Sequence, residues 1–200
     1  GRHWLDVAGY ADSEGFSTDD PPRANAWKYR DYVIRSFNDD KPFNQFILEQ
    51  LAGDELIGRE LTNLSAKEQE LLIATGFLRM APDGTATNST NTKVAKNQVI
   101  AETIKIVSSS FMGLTIGCAQ CHNHRYDPIS QADYYRLRAV FEPAMDARSW
   151  HGPSHQISLF TDVDRQKCAA IEAEAAKADA VRHKKQEQYI DGTFQKELAK

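Results

Sequence analysis

Residues 118–122 read CAQCH. Two thiols stand three residues apart with an imidazole directly behind the second, and the chain has one further cysteine, Cys168. Cys118, Cys121 and His122 are spaced i, i+3 and i+4, so on a turn of helix they share a face. A haem needs that geometry if it is to be attached through two thioether bonds and ligated from the same side, with the histidine reaching the iron. At this chain's own cysteine and histidine content, the string arises by accident in about one chain in a thousand. Other chemistries use the same residue types. A redox Cys-X-X-Cys usually follows a strand in a βαβ setting, and none flanks this one. Zinc would have to take Cys118, Cys121, His122 and His124, four donors within seven residues. That is too tight for one closed tetrahedral site, so a distant donor such as His3 would be required.

Working outward, Asp127-Pro128 breaks the chain after CAQCHNHRY. Ser130 is an N-cap candidate with Asp133 three residues on, and QADYYRLRAVFEPA is amphipathic. Upstream, a helix is expected from about Thr92 to Leu114, weakened near its end by Ser108-Ser109-Ser110 and Gly113. APDGTATNSTN before it is a loop of turn formers. Ser65 and Glu68 form a capping-box pattern that opens a helix from Ala66 to about Met80. Pro42 opens another, with an apolar stripe of Phe43, Phe46, Ile47, Gln50 and Leu51 closed at Gly53. NAWKYRDYVIRSFN forms a helix in which Trp27, Tyr32, Ile34 and Phe37 recur at helical spacing. Residues 1–24 are loop-like, with a helical turn expected among the first ten, and residues 146–161 are irregular. From Asp162 onward the text is rich in Ala, Glu, Lys and Gln, a solvated helix.

No repeat and no run of alternating strands is present. The expected fold is mainly α: a single haem-organised helical domain with long irregular loops, followed by a charged C-terminal helix. Residues 1–160 form the c-type-cytochrome-like helical domain. Residues 161–200 form a charged helical arm or a linker to a further domain outside this sequence. The loops need something to organise them, and a cofactor would supply it.

The composition is ordinary for a globular chain of 200 residues with net charge −4. The mild negative charge argues against a nucleic-acid binder, short basic spots such as RHKK notwithstanding. No apolar run reaches the ~18 residues of a membrane span. No export signal opens the sequence, which starts GRHW; a native one would lie outside it. Three cysteines do not make a disulfide scaffold.

If haem is bound, His122 is the proximal ligand. His124 is two residues beyond it and cannot reach the opposite face of the same porphyrin, so a supporting hydrogen bond, a propionate contact or a structural role is left to it. The candidates for the other axial position are His3, Met112, Met80, Met145, His151 and His155. His3, beside Trp4 and near Tyr10, is placed first: residues 1–12 would fold over the porphyrin, with both aromatics shielding it from water. Arg125 and Tyr126 follow the motif directly, and an arginine there can neutralise a propionate. His183 lies in the charged tail. Asp6, Asp12, Asp19 and Asp20 lack the spacing of a calcium loop and read as solvated. Cys168 has no partner once the other two thiols are taken, and is expected free or in an intermolecular bond.

The chain also resembles a known family, the planctomycete-type cytochrome C domain of the second kind, long described as a domain of unknown function. GRHWLDVAGYADSEGF at the start carries the resemblance, followed by WKYRDYVIRSFNDDKPFNQFILEQLAGDEL, ATGFLRM and GLTIGCAQCHNHRYDPISQADYYRLRAVF. It covers roughly the first three quarters of the sequence. Members usually read ARYADS where this chain has Gly9 in place of the arginine, and CHDHK or CHDHR where it has Asn123 in place of the carboxylate. The resemblance implies large exported proteins of planctomycete-like bacteria, with this domain preceding a second uncharacterised one. It supports a haem without naming a reaction.

Three functions follow as expectations. The first is a c-type haem-binding electron-transfer domain, carrying covalent haem c with its iron. It would serve a redox partner protein or a neighbouring domain of the same chain, in the periplasm or at the cell surface. The second is a haem peroxidase-like or other oxidoreductase with an open distal site. The third is a zinc- or haem-stabilised interaction module without catalysis. An electron carrier is expected over a catalyst.

Overall fold

A computed structural model describes residues 1–15, 20–86, 92–143 and 157–199. Seven α-helices occur among them: α1 (Arg2–Ala8), α2 (Ala26–Asn38), α3 (Phe43–Ile57), α4 (Ala66–Ala74), α5 (Thr92–Val107), α6 (Gln131–Phe141) and α7 (Asp162–Leu198). The described residues contain no strand beyond one isolated bridge, Ser13 to Pro22. The fold is mainly α. The chain divides into two compact units, residues 1–61 with 65–157, and residues 62–64 with 158–200.

The expected caps form. Ser65 accepts from the Glu68 amide while the Glu68 carboxylate accepts from Ser65, and Ser130 and Asp133 do the same for α6. Each such box satisfies N–H groups that a helix start leaves without intrahelical partners. Pro42 precedes α3 as expected. Other boundaries differ for physical reasons. The helical turn expected among the first ten residues extends to seven residues, α1, ended by Gly9 at φ +70°, a left-handed conformation that glycine adopts without strain. The helix that begins at Ala66 turns 3-10 at Thr75–Arg79 instead of running to Met80 as α-helix. α5 passes into a π turn at Ser108–Met112, which Gly113 ends.

Gly53 does not close α3. The helix kinks at Ala52 and runs on to Ile57. Gly53 instead admits the backbone of α4: a Cβ there would lie 2.1 Å from the Leu71 carbonyl oxygen. Gly53→Ala should therefore push α3 and α4 apart, at roughly 2–3 kcal/mol. Gly117→Ala, where a Cβ meets nothing within 4 Å, should change stability by less than about 0.5 kcal/mol. Chemical denaturation of the two variants checks the difference.

Two apolar clusters hold the first unit. One gathers Trp4, Tyr29, Tyr32, Phe46, Phe77 and Met80, among others. The second gathers Ile100, Ile104, Ile116, Ala119 and Tyr134, and Leu78 and Phe141 pack against both. Of the expected face of α2 only Tyr32 is buried. Trp27, Ile34 and Phe37 are exposed, and Tyr29, Tyr32 and Val33 are buried. The tyrosines go inside because their hydroxyls have partners there. Tyr29 donates to Gln50 Oε1 at 2.6 Å and Tyr32 donates to Glu49 at 2.8 Å, and a bonded hydroxyl loses little on burial. Burial raises both phenol pKa values. Burial alone would also raise that of Glu49, but hydrogen bonds from Lys41, Tyr32 and Gln45 outweigh it and lower the value.

The N-terminal loop is organised by protein groups. Arg23 and Glu14 form a nearly buried ion pair at 2.9 Å, and the guanidinium also donates to the carbonyls of Met80 (3.3 Å) and Ala81 (2.6 Å). The Asp83 amide donates to the Glu14 carbonyl. The second unit contains α7, whose first turn has its own box between Thr161 and Asp164. Asn63 accepts from the Asp162 amide at 2.7 Å. The described side chains of α7 lie in solvent apart from partly covered Asp164, as its charged sequence leads one to expect.

Candidate functional site

The CAQCH stretch lies on a 3-10 turn, Ile116–Gln120, that continues through Cys121. The Cys118 carbonyl accepts from the amides of Cys121 (3.3 Å) and His122 (3.4 Å), so residues 118–122 make one helical turn. Ile116 and Ala119 point inward and are buried, which leaves Cys118, Cys121 and His122 outward and exposed. Neither cysteine is in a disulfide.

Three contacts fasten this turn to α6. The Gln120 carbonyl accepts from Gln131 Nε2 at 3.1 Å and from the Tyr135 hydroxyl at 3.2 Å. Asn123 Oδ1 accepts from the Gln131 amide at 2.9 Å, at the first residue of α6. The acceptor there is an oxygen that an aspartate would also supply, so the Asn123 departure from CHDH keeps the contact. Sequence reasoning missed Gln131 and Tyr135. The one signal for them is their place in the first turns after the Ser130 cap.

His122 and His124 have opposite roles. His122 Nδ1 lies 2.7 Å from the Asn123 carbonyl oxygen. A carbonyl only accepts, so the imidazole carries its proton on Nδ1 and turns the lone pair of Nε2 outward. Ligating histidines are commonly oriented by such a hydrogen bond. The His124 side chain is nearly buried. Its Nδ1 accepts from the amides of Asp127 (3.0 Å) and Tyr126 (3.4 Å), and its own amide donates to the Ile129 carbonyl at 2.8 Å. His124 pins the loop over residues 124–129 through Nδ1, which also lies 3.2 Å from the Asp127 carboxylate. Among the described residues no three His, Cys, Asp or Glu side chains converge as they would around a metal ion. The tetrad Cys118, Cys121, His122 and His124 is not assembled.

The remaining candidates are scattered. Arg125 and Tyr126 are exposed, with the guanidinium carbon 5.9 Å from the tyrosine ring centre. Met112 is half-exposed at the end of the π turn. Met80 is 4% exposed inside the first cluster and cannot reach the outward imidazole without leaving the core. Met145, His151 and His155 lie outside the described residues. His3 is exposed on α1, which packs on α2, α5 and the π turn, whereas the turn that carries His122 packs on α5 and α6. Trp4 faces the core, where its indole N–H lies 3.0 Å from the Tyr29 hydroxyl and 3.1 Å from Gln50 Oε1. Trp4 is thus no shield for a cofactor, which corrects that part of the expectation. Tyr10 is partly buried and donates to Asp12 at 2.6 Å; burial and that carboxylate push its phenol up to about 12.

Fold and site together define an all-α domain that carries a fixed, outward-facing Cys-X-X-Cys-His turn. The chain belongs to the family described as PSCyt2, a protein of unknown function (DUF1549), which it matches over residues 1–146. The match covers α1 to α6 with the whole turn, and α7 lies beyond it. Comparison with curated proteins and with solved structures found no match. No helix among the described residues is long and apolar enough to cross a membrane.

Proposed function

We propose that this chain is a c-type haem-binding electron-transfer domain of a larger exported bacterial protein. The observation that carries the reading is the state of His122: its Nδ1 proton is held by the Asn123 carbonyl, and its Nε2 faces outward on the same turn as two free, exposed thiols. The donor set fits a haem c. Cys118 and Cys121 would hold it through thioether bonds and His122 would ligate the iron. Bound there, the haem supplies a reversible one-electron couple. The protein's part is positional. Gln131, Tyr135 and Asn123 fix the turn, and the Asn123 carbonyl keeps the imidazole in one tautomer through the redox cycle. Arg125 and Tyr126, exposed directly after the motif, would flank a haem held there, and a redox partner or a neighbouring domain of the same chain would approach on that side. Thioether attachment takes place outside the cytoplasm, so the parent protein is exported, to the periplasm or the cell surface.

His3 would supply the second ligand to the iron, and the absorption spectrum of the haem-loaded chain tests it. The unmutated protein should be six-coordinate and low-spin. His3→Ala should turn it high-spin and open the iron to cyanide, whereas His124→Ala should leave the spin state as it is. An unchanged low-spin spectrum in His3→Ala moves the assignment to Met112. A high-spin spectrum before any substitution means an open distal side and a peroxidase-like oxidoreductase in place of an electron carrier.

A further inference from the structure

A second cluster of charged and phenolic groups lies apart from the cysteine turn. Glu49 sits on α3 with its side chain 5% exposed, and both carboxylate oxygens are engaged. Oε2 accepts from the Tyr32 hydroxyl of α2 at 2.8 Å and from Lys41 Nζ, and Oε1 accepts from Gln45 at 2.8 Å. The Lys41 ammonium also lies 4.6 Å from the centre of the Tyr32 ring, where a cation is attracted to the ring face. Lys41 belongs to neither helix and stands in the turn over residues 39–42. One carboxylate therefore fastens α2, α3 and the turn between them.

The turn is under strain. Asp40 takes φ +50°, a left-handed conformation that costs energy in a residue with a Cβ and persists where the surroundings impose it. Asp39, Asp40 and Pro42 are exposed, and Lys41 is the residue of the turn that reaches inward. The other charges nearby are engaged elsewhere or exposed. On α4, which packs on α3, Glu70 pairs with Arg35 of α2, Glu68 pairs with Arg59, and Lys67 is exposed. Arg79, in the 3-10 turn against α3, pairs with Asp83, and Arg30 of α2 pairs with Asp31. Tyr29, the other buried phenol of α2, donates to Gln50. Asp54 and Glu55 of α3 are exposed, as are Arg2, His3 and Asp6 of α1.

We propose that Lys41, Glu49 and Tyr32 form an acid-sensitive latch: the ionised Glu49 carboxylate holds the strained turn against α2 and α3, and its protonation releases Lys41 and opens the turn. A neutral carboxyl no longer attracts the ammonium, which is then better solvated in water than beside a buried group. Its departure uncovers the Tyr32 ring and lets Asp40 relax. Burial raises the Glu49 carboxyl, but its hydrogen bonds outweigh burial and hold it below the ordinary value. The latch therefore stabilises fully above the ordinary glutamate value of about 4.3. That stability is lost as pH falls through the lower value of the folded chain.

Hydrogen–deuterium exchange of the full chain, read by mass spectrometry and corrected for the intrinsic effect of pH, tests the latch. Protection in the peptide over residues 37–43 should fall by roughly tenfold between about pH 5 and about pH 3. Peptides from α5 should keep theirs. Glu49→Gln should show the low protection of the turn already at the higher pH, with no further loss at the lower one. Lys41→Met should do the same, and it carries the test should Glu49→Gln fail to fold. Turn protection that is equal at both pH values in the unmutated chain, or that falls as steeply in the variants, overturns the proposal. A fall shared by the α5 peptides means acid unfolding of the whole unit and overturns it as well.

Discussion

Replacing both Cys118 and Cys121 by alanine should give a colourless protein that is still folded. In a host that attaches haem outside the cytoplasm, the unmutated chain should come out coloured, and the double variant should lose essentially all of that colour. The two thiols are the only covalent anchors on the turn. His122 alone, on an exposed surface, would hold haem too weakly to survive purification. The fold should survive because both cysteines point into solvent and the turn is held by Gln120, Asn123 and α6. Exposed substitutions away from such contacts stay within about 0.5 kcal/mol. Circular dichroism and a thermal melt of the double variant check the second half. A double variant that keeps its colour shows that the cysteines are not the anchors.

Trp4→Ala should destabilise the protein by about 3–5 kcal/mol, the range for truncating a buried aromatic. Four phenylalanine rings surround the indole: Phe43, Phe46, Phe77 and Phe111, with ring centres 5.0–6.1 Å away. The loss is a large share of the ~5–15 kcal/mol that holds an ordinary domain together. Trp4→Phe keeps the ring and removes the N–H. It should cost only about 1 kcal/mol beyond the lost area, because Tyr29 and Gln50 still pair with each other. Trp27→Ala should cost less than about 1 kcal/mol, since Trp27 is half-exposed. Urea midpoints of the three variants give the order. A Trp27 variant as damaging as the Trp4 variant would mean that α2 buries the opposite face.

That contrast shows what the sequence carried. Local chemistry was legible: the boxes at Ser65 and Ser130, the Pro42 start and the charged text of α7 need only neighbouring residues. The face of α2 was not. Periodicity places Trp27, Tyr32, Ile34 and Phe37 together, but of these only Tyr32 is buried, beside Tyr29, and both are admitted because Glu49 and Gln50 on α3 receive their hydroxyls. Gly53 read as a helix stop because the close approach of Leu71 is a tertiary fact. The site divides in the same way. Cys118, Cys121 and His122 are adjacent and were found by spacing. The tautomer of His122, the structural role of His124 and the buried place of Trp4 depend on carbonyls, amides and rings that spacing does not locate.

The attachment itself is read most directly by the intact mass of the denatured full chain from a host with the haem-attachment machinery, after acid–acetone extraction. The expected result is the chain mass plus one haem, with colour retained in the protein pellet. A bare chain mass, with all colour in the acetone, would contradict covalent attachment at Cys118 and Cys121.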